Sequence, residues 1–305
     1  MSPGVLQAAL AYAIWGLLSL YFQRVSAVAP LEIVLHRSLW SLAFVLVLLT
    51  VLRRWAWLGE VVRLPRTLAT FALSALLLSC NWLVYVWAVN NGRVVDSSLG
   101  YFITPLVNVL LGYFVLHERP RRAQWCALAI AAAGVLWLTF FAGSLPWVGL
   151  VLAATFGIYG LIRKTAALGA LEGLALETLL MAPLAASLLA WRTAHFGSAL
   201  SDGGAALLGL LALAGPLTVL PLLLFAAGAR RIPMTTLGVL QYIGPTIQFA
   251  LGVWLFREPF AGPRLVGFVL IWLALVIYTA EGCLAMRRRA SPEVVAAPPV
   301  PASRR

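Results

Sequence analysis

Three ionisable side chains lie close together in an otherwise apolar segment near the N-terminus. Glu32 and His36 share a helix face because they are four residues apart, and Arg37 follows directly. Carboxylate and imidazole groups can take up and release protons, and a guanidinium can bind an anionic group or form a gate. If a helix begins near Leu31, Arg37 lies about 9 Å along it, where a lone charge in a membrane costs a few kcal/mol. Snorkelling of Arg37 to the interface is the alternative.

A set of polar and helix-bending residues occurs twice in the chain, at a constant offset of 140 positions. Within each copy the residues recur at helical spacing, so in a helix they form one stripe. Small and amide-bearing residues commonly join helices in membranes, so helix packing is one interpretation of the stripes. The matched positions are Tyr101 and Gln241, Pro105 and Pro245, Asn108 and Gln248, Gly112 and Gly252, and Glu118 and Glu258.

The two prolines favour a second interpretation, in which the stripes line a cavity. Proline lacks an N–H and displaces the carbonyl four residues earlier, which frees the backbone oxygens of Tyr101 and Gln241. In lipid those oxygens need a partner, so they should face protein, water or a bound molecule. The residues predicted to border a midplane cavity are Tyr101, Pro105, Asn108, Gln241, Tyr242, Pro245 and Gln248.

The same offset matches Arg37 with Glu177, each at a similar depth but from opposite ends of the membrane. We expect the two charges to lie about 12 Å apart along the normal of a roughly 30 Å core. A direct salt bridge between them is therefore not predicted, and each would guard its own mouth of the cavity. Asn81, Trp82 and Tyr85 are predicted to contact a bound molecule, although aromatic belts at membrane interfaces are the alternative.

The composition of the chain requires a membrane to surround these residues. Hydrophobic residues make up 62% and charged residues 10%, with a mean hydropathy of +0.95. Crossing about 30 Å of hydrocarbon takes about 20 apolar residues. Ten such stretches are predicted: 5–22, 33–52, 68–89, 99–116, 123–141, 147–162, 174–191, 205–227, 235–256 and 265–283.

The repeat divides these ten stretches into two sets of five. Because five is odd, the second copy enters the membrane from the opposite side. We therefore predict an all-α integral membrane protein with ten transmembrane helices in two inverted five-helix repeats, residues 1–142 and 143–286. Residues 287–305 are basic and rich in proline, which predicts a disordered cytoplasmic tail.

Loop charges predict the orientation. With the N-terminus on one side, that side receives 16 Lys and Arg residues and the other side receives 5. The positive-inside rule then predicts cytoplasmic N- and C-termini in a multi-pass protein of the inner (plasma) membrane. The net charge of +12 follows from these loops and the tail, so no nucleic-acid partner is predicted.

The sequence offers no set of residues typical of an active site or a cofactor site. The three Cys and three His residues are scattered without ligand spacing, so neither a metal nor another cofactor is predicted. Phosphate loops, nucleophile elbows and paired carboxylates are missing from the sequence. We therefore predict that the protein is not an enzyme.

Several segments together resemble the RarD branch of the EamA family, in the drug/metabolite transporter superfamily. In the first half they are PLEIVLHRSLWS (30–41), NW (81–82), AVNNG (88–92) and SLGYFITPLVN (98–108), and in the second half LET (176–178), PLLLF (221–225) and QYIGPT (241–246). The resemblance implies ten helices in two inverted repeats with both termini cytoplasmic. Members are described as chloramphenicol-sensitive or chloramphenicol-resistance permeases.

These observations lead to one functional prediction and two alternatives. We predict a permease that exports a small organic metabolite or drug by alternating access with proton or gradient coupling, in which Glu32, His36 and Glu177 are the candidates for protonation. A membrane enzyme acting on lipid is one alternative, although Ser38 and Ser41 are its nearest candidate nucleophiles. A structural or regulatory subunit is the other, and it would not need polar residues at equivalent depth in both repeats.

Overall fold

The described part of the chain is helical throughout, with short connections and without a strand. The computed structural model describes residues 2–25, 27–61, 63–90, 94–142, 147–197, 204–255 and 262–290. Helices suit a chain of this composition because they satisfy their own backbone hydrogen bonds inside lipid. Several begin with proline in the first turn, where its missing N–H is not needed.

Twelve helices and one π-helical segment follow one another along the described residues. The first half contains α1 (Pro3–Arg24), α2 (Pro30–Val51), α3 (Trp57–Val61), α4 (Pro65–Asn90), α5 (Val94–Phe114) and α6 (Arg122–Ala142). The second half contains α7 (Trp147–Thr165), α8 (Ala170–Phe196), α9 (Ala205–Ala229), α10 (Met234–Gln241), α11 (Ile243–Ala250), the π-helical segment (Leu251–Leu255) and α12 (Pro263–Ala290).

Eight helices in the described residues are long and apolar enough to cross a membrane by length and composition. They are α1, α2, α4, α6, α7, α8, α9 and α12. The fourth predicted stretch contributes a shorter apolar helix, Gly100–Phe114, within α5. The last helix continues to Ala290, and the rest of the predicted tail, 291–305, lies outside the described residues.

The ninth predicted stretch is divided by a break next to Pro245, the proline that the sequence predicts to free the Gln241 carbonyl. Helix α10 ends at Gln241 and α11 begins at Ile243. Pro245 supplies the reason, because it has no N–H to donate to the Gln241 carbonyl. The Tyr242 N–H instead donates to the Val239 carbonyl at 3.2 Å, and the helix resumes with Thr246 donating to the Tyr242 carbonyl at 3.1 Å.

The helices of the two halves pack mainly against each other. Helix α9 lies against α1 and α2, and α4 lies against α7 and α8. Helix α5 packs on α7, whereas α10 and α11 pack on α1. Three further contacts join the halves: α2 with α8, α5 with α10, and α6 with α12. The two halves are therefore interleaved and do not form separate units.

The largest apolar core lies where α1, α7 and α9 meet. Tyr12, Tyr159 and Phe225 are each no more than 2% exposed. The Phe225 ring stacks on Tyr159 at 6.1 Å between centroids and meets Tyr12 edge to face at the same distance. Aromatic pairs in these geometries stabilise a core beyond their area burial. This core fixes the relative positions of the helices that carry the charged residues.

Candidate transport site

Arg37 lies inside the helix bundle and does not extend to the surface. Its side chain leaves α2 and is only 8% exposed. The guanidinium carbon sits 3.5 Å from the ring centroid of Trp82, on α4. A guanidinium over an indole face at this distance is a cation–π contact. The snorkelling alternative for Arg37 does not fit this geometry.

An aromatic chain continues from Trp82 to α5. The Trp82 and Tyr85 rings are 5.7 Å apart, and the Tyr85 and Tyr101 rings are 6.5 Å apart. The structure thus brings together four residues that the sequence predicts as site residues. They lie on three different helices, α2, α4 and α5. We call Arg37, Trp82, Tyr85 and Tyr101, together with Tyr21, the Arg37 cluster.

Tyr21 is a member of this cluster that the sequence reasoning missed. It lies near the C-terminal end of α1, within electrostatic range of the Arg37 guanidinium, as does Tyr101. Its hydroxyl donates to the Leu210 carbonyl of α9 at 3.1 Å. Its position among other aromatic residues, beside Phe22, gave no distinguishing signal in the sequence.

Glu32 forms an ion pair with a residue of the other half. The Arg192 Nη1 atom, near the C-terminal end of α8, lies 2.6 Å from Glu32 Oε2. The His36 Nε2 atom lies 3.8 Å from the other carboxylate oxygen. Glu32 and His36 are 3% and 2% exposed, so the carboxylate and the imidazole are largely desolvated. The sequence predicted Glu32 and His36 as site residues but not Arg192.

A matching pair joins the opposite ends of the same two helices. Arg54, just after α2, places Nη1 3.1 Å from Glu172 Oε1 in the first turn of α8. Glu172 is the residue that the 140-position offset matches with Glu32. Since each end of α2 meets the opposite end of α8, the two helices run antiparallel and are connected at both ends. We call these the Glu32 pair and the Glu172 pair.

Glu177 is neutralised by a buried arginine and not by Arg37. The Arg163 Nη1 atom lies 3.5 Å from Glu177 Oε1, and both side chains are about 1% exposed. Ser74 donates to the same carboxylate oxygen at 2.5 Å, and the Tyr159 hydroxyl to the other at 3.4 Å. The sequence reasoning counted Arg163 as a loop residue, which was wrong, because it lies buried in the last turn of α7.

The amides of the two stripes meet at the contact between α5 and α10. Asn108 Nδ2 donates to Gln241 Oε1 at 3.0 Å, and the two residues are 1% and 5% exposed. A Cβ atom on Gly238 would lie 2.6 Å from the Pro105 carbonyl oxygen, so the backbones are in close contact. This geometry favours helix packing for Asn108 and Gln241. The Gln248 side chain lies outside the described residues.

Two further predicted residues, Asn81 and Tyr242, also form contacts between helices. Asn81 Nδ2 donates at 2.9 Å to both the Leu152 carbonyl and Thr155 Oγ1, which joins α4 to α7. The Tyr242 hydroxyl donates to the Phe102 carbonyl at 3.2 Å, across the α5–α10 contact. Pro245 lies in α11 just after the helix break. A transport role for these residues stays a prediction.

Glu118 has a structural role that explains its place in the repeated pattern. Its carboxylate accepts hydrogen bonds from the Met234 and Thr235 N–H groups, at 2.7 and 3.0 Å, and from Thr235 Oγ1 at 2.8 Å. A carboxylate here satisfies the free N–H groups at the start of α10 and complements the helix dipole. In the described residues, no three His, Cys, Asp or Glu side chains are arranged to hold a metal ion.

Comparison with known proteins identifies the family. The sequence profile of the EamA-like transporter family matches residues 2–140. Protein RarD of Streptomyces exfoliatus is 44% identical over 297 residues, which cover 97% of this chain and 94% of that protein. The chain belongs to the RarD branch of the EamA-like transporter family. The resemblance predicted from the sequence segments is confirmed.

Other comparisons agree with membership of the EamA-like family. The chloramphenicol-sensitive protein RarD of Pseudomonas aeruginosa is 31% identical, over 94% of this chain and 97% of that protein. The chain also superposes on a protein crystal structure with a TM-score of 0.71 at 22% identity, covering 95% of this chain and all of the other. That likeness supports the fold alone. Family and apolar helices together make the chain a multi-pass membrane protein of a transporter family.

Proposed function

We propose that the protein is a permease that exports a small organic metabolite or drug across the inner membrane by alternating access. Its partners in this proposal are a small-molecule substrate and the lipid bilayer, and no nucleic acid. The broken ninth stretch and α5 cross the membrane together with the eight helices that meet the length and hydropathy criteria for a span, which makes ten spans in two inverted repeats. Membership of a transporter family supports this proposal over an enzyme or a structural subunit.

The pairing of the helices supports the inverted repeat. Matching α1, α2, α4, α5 and α6 in order with α7, α8, α9, α10–α11 and α12 gives each main contact between the halves, in the described residues, a counterpart. The α1–α9 contact corresponds to α7–α4, and α2–α9 corresponds to α8–α4. Three contacts each join two matched helices, so each is its own counterpart: α2 with α8, α5 with α10 and α6 with α12. A pseudo-two-fold axis in the membrane plane has these consequences.

The observation that carries the proposal is the presence of one ion pair at each end of the α2–α8 contact. In the predicted orientation the Glu32 pair faces the periplasm and the Glu172 pair faces the cytoplasm. An alternating-access transporter needs a closure on each side that can open separately. The two pairs provide this, since opening one need not disturb the other, and their glutamates occupy matched positions of the repeat.

The environment of Glu32 supports proton coupling at the periplasmic closure. Its carboxylate is shared between Arg192 and His36, so a proton gained there weakens the attraction to Arg192. Glu177 is less suited, because its protonation would leave Arg163 buried without a counter-charge. Glu32 and His36 are therefore the proposed coupling residues.

The experiment that tests the proposal blocks the periplasmic closure reversibly. Cysteines replace Glu32 and Arg192 in a chain whose three native cysteines are serine. A short bis-methanethiosulfonate reagent then links them, since the replaced side chains separate the backbones by more than a disulfide spans. Small molecules in the medium and in the cells are compared by mass spectrometry, with the single-cysteine variants as matched controls.

At least one small organic molecule should leave cells that express the unlinked protein. The unlinked variant lacks the proposed coupling residue Glu32, so only efflux down a concentration gradient is expected of it. That efflux should stop after cross-linking and return after reduction, and the reagent should not change efflux by the single-cysteine variants. An identical set of exported molecules in linked, reduced and non-expressing cells would contradict a transport function.

A further inference from the structure

Arg37 differs from the other buried charges in the described residues. Glu32, Glu177 and Arg163 each have an oppositely charged partner within 4 Å. Arg37 has no such partner among the described residues. Its Nε atom has no hydrogen-bond partner, as is also true of the Arg163 Nε atom. The guanidinium lies over the face of Trp82, and Tyr21 and Tyr101 are within electrostatic range.

A cation–π contact does not neutralise this charge. Such a contact is worth about 2 kcal/mol when desolvated, which offsets only part of the cost of a lone cation inside a membrane. An uncharged side chain at this position would avoid that cost. The fold nevertheless directs a guanidinium inward onto α4. A charge held in this way is suited to a counter-ion that is not part of the protein.

We propose that the Arg37 cluster binds the transported substrate, and that this substrate is a small organic anion with one carboxylate beside an aromatic ring. The inference rests on the proposed transport function and specifies its substrate class. A guanidinium presents a planar fork of donors that matches a carboxylate with two parallel hydrogen bonds. One cation balances one carboxylate and leaves a dianion such as a phosphate ester with excess charge.

The aromatic members of the cluster indicate the rest of the ligand. Tyr85 and Tyr101 extend from Trp82 with ring spacings of 5.7 and 6.5 Å, and Tyr101 is 38% exposed. Rings at these distances accept a further planar group in offset or edge-to-face contact. The Tyr101 hydroxyl can donate to a carboxylate oxygen that the arginine leaves free, whereas the Tyr21 hydroxyl already donates to the Leu210 carbonyl.

Three compounds that share one ring and differ in charge test this inference by binding alone. Indole-3-acetate is the anion, indole-3-acetamide its neutral counterpart, and tryptamine the cation. The purified full chain in detergent is heated with each compound over a concentration series, and the rise in Tm gives relative affinities. Arg37→Gln and Arg37→Lys are compared with Arg230→Gln, a control whose arginine only bonds the Ala166 and Leu168 carbonyls.

The anion should stabilise the wild type and Arg230→Gln more than the amide does, and tryptamine least. Arg37→Gln should weaken binding of the anion by about tenfold or more and leave the amide unaffected, whereas Arg37→Lys should keep part of the preference. Equal stabilisation by anion and amide in the wild type, or no stabilisation by the anion, would overturn the inference even if Arg37→Gln fails to fold. Because this test measures neither export nor cross-linking, a negative result for anion binding is distinct from a negative result for the transport proposal.

Discussion

Two arginines enter the apolar interior, and the protein surrounds them differently. Arg163 lies against Glu177, with Ser74 and Tyr159 completing the hydrogen bonds of the carboxylate. Arg37 lies against an aromatic ring. A charge that is paired within the protein stabilises one arrangement of helices. A charge without a described counter-ion can respond to a ligand, which is why we propose a structural role for Arg163 and a binding role for Arg37.

The Arg163–Glu177 pair should behave as a coupled unit in stability measurements. Glu177→Gln leaves a buried cation without its partner, so we expect a loss of about 3 kcal/mol and a lower Tm. The double variant Arg163→Gln/Glu177→Gln should be destabilised by less than the sum of the single variants, because it leaves no unpaired charge. Glu60→Gln, at an exposed position in α3, is the control. Additive effects would show that the pair carries no coupling.

The sequence predicted the depth of Glu177 but not its partner. The offset from Arg37 located it inside an apolar segment, and its burial followed. Arg163 precedes it by fourteen positions, across the α7–α8 connection, and a basic residue at the end of an apolar run is typical of a cytoplasmic loop. Only the packing of α4 against α7 and α8 shows that this arginine turns inward.

At the level of the helices, α5 and α10 pack through close backbone contact and not through large side chains. Gly238 allows the Pro105 carbonyl to approach, and the Asn108–Gln241 hydrogen bond lies beside it. Small residues permit such packing in membranes, where amide side chains add interhelical hydrogen bonds. The contact joins the two halves of the chain at the centre of the bundle.

Gly238→Ala should therefore destabilise the protein by about 1–3 kcal/mol, because the added methyl group would meet a backbone oxygen. Gly209→Ala is the matched control, since a Cβ there meets nothing within 4 Å and alanine favours a helix. Thermal unfolding in detergent compares the two variants. A Gly238→Ala protein as stable as the wild type would mean that the two helices can separate at no cost.

The sequence predicted the positions of the helices well and their interruptions less well. Long apolar runs are sufficient to locate spans such as α2 and α9, because the bilayer sets their length. Pro105 and Pro245 occur at matched positions, yet α5 continues through its proline whereas the ninth stretch divides at Tyr242. What differs is the surrounding packing, which the proline alone does not specify.

For the whole molecule, the loop charges predict where each end lies. The bias of 16 to 5 basic residues favours cytoplasmic termini. A reporter that is active only in the cytoplasm should function when fused after residue 290, and a periplasmic reporter should not. Fusions in the connection between α1 and α2 should give the opposite pattern and serve as the control. A periplasmic C-terminus together with a periplasmic α1–α2 connection would require an odd number of spans and would contradict the repeat.

The central claim is that the Glu32 and Glu172 pairs close opposite sides of one pathway. Its most direct test is the labelling of Tyr101→Cys from the periplasm, in cells whose protein lacks the native cysteines, with a membrane-impermeant thiol reagent. Glu32→Gln weakens the periplasmic closure, so labelling should become faster, whereas Glu172→Gln weakens the cytoplasmic closure and should make it slower. Changes in the same direction, or no change in either variant, would contradict alternating access through these two pairs.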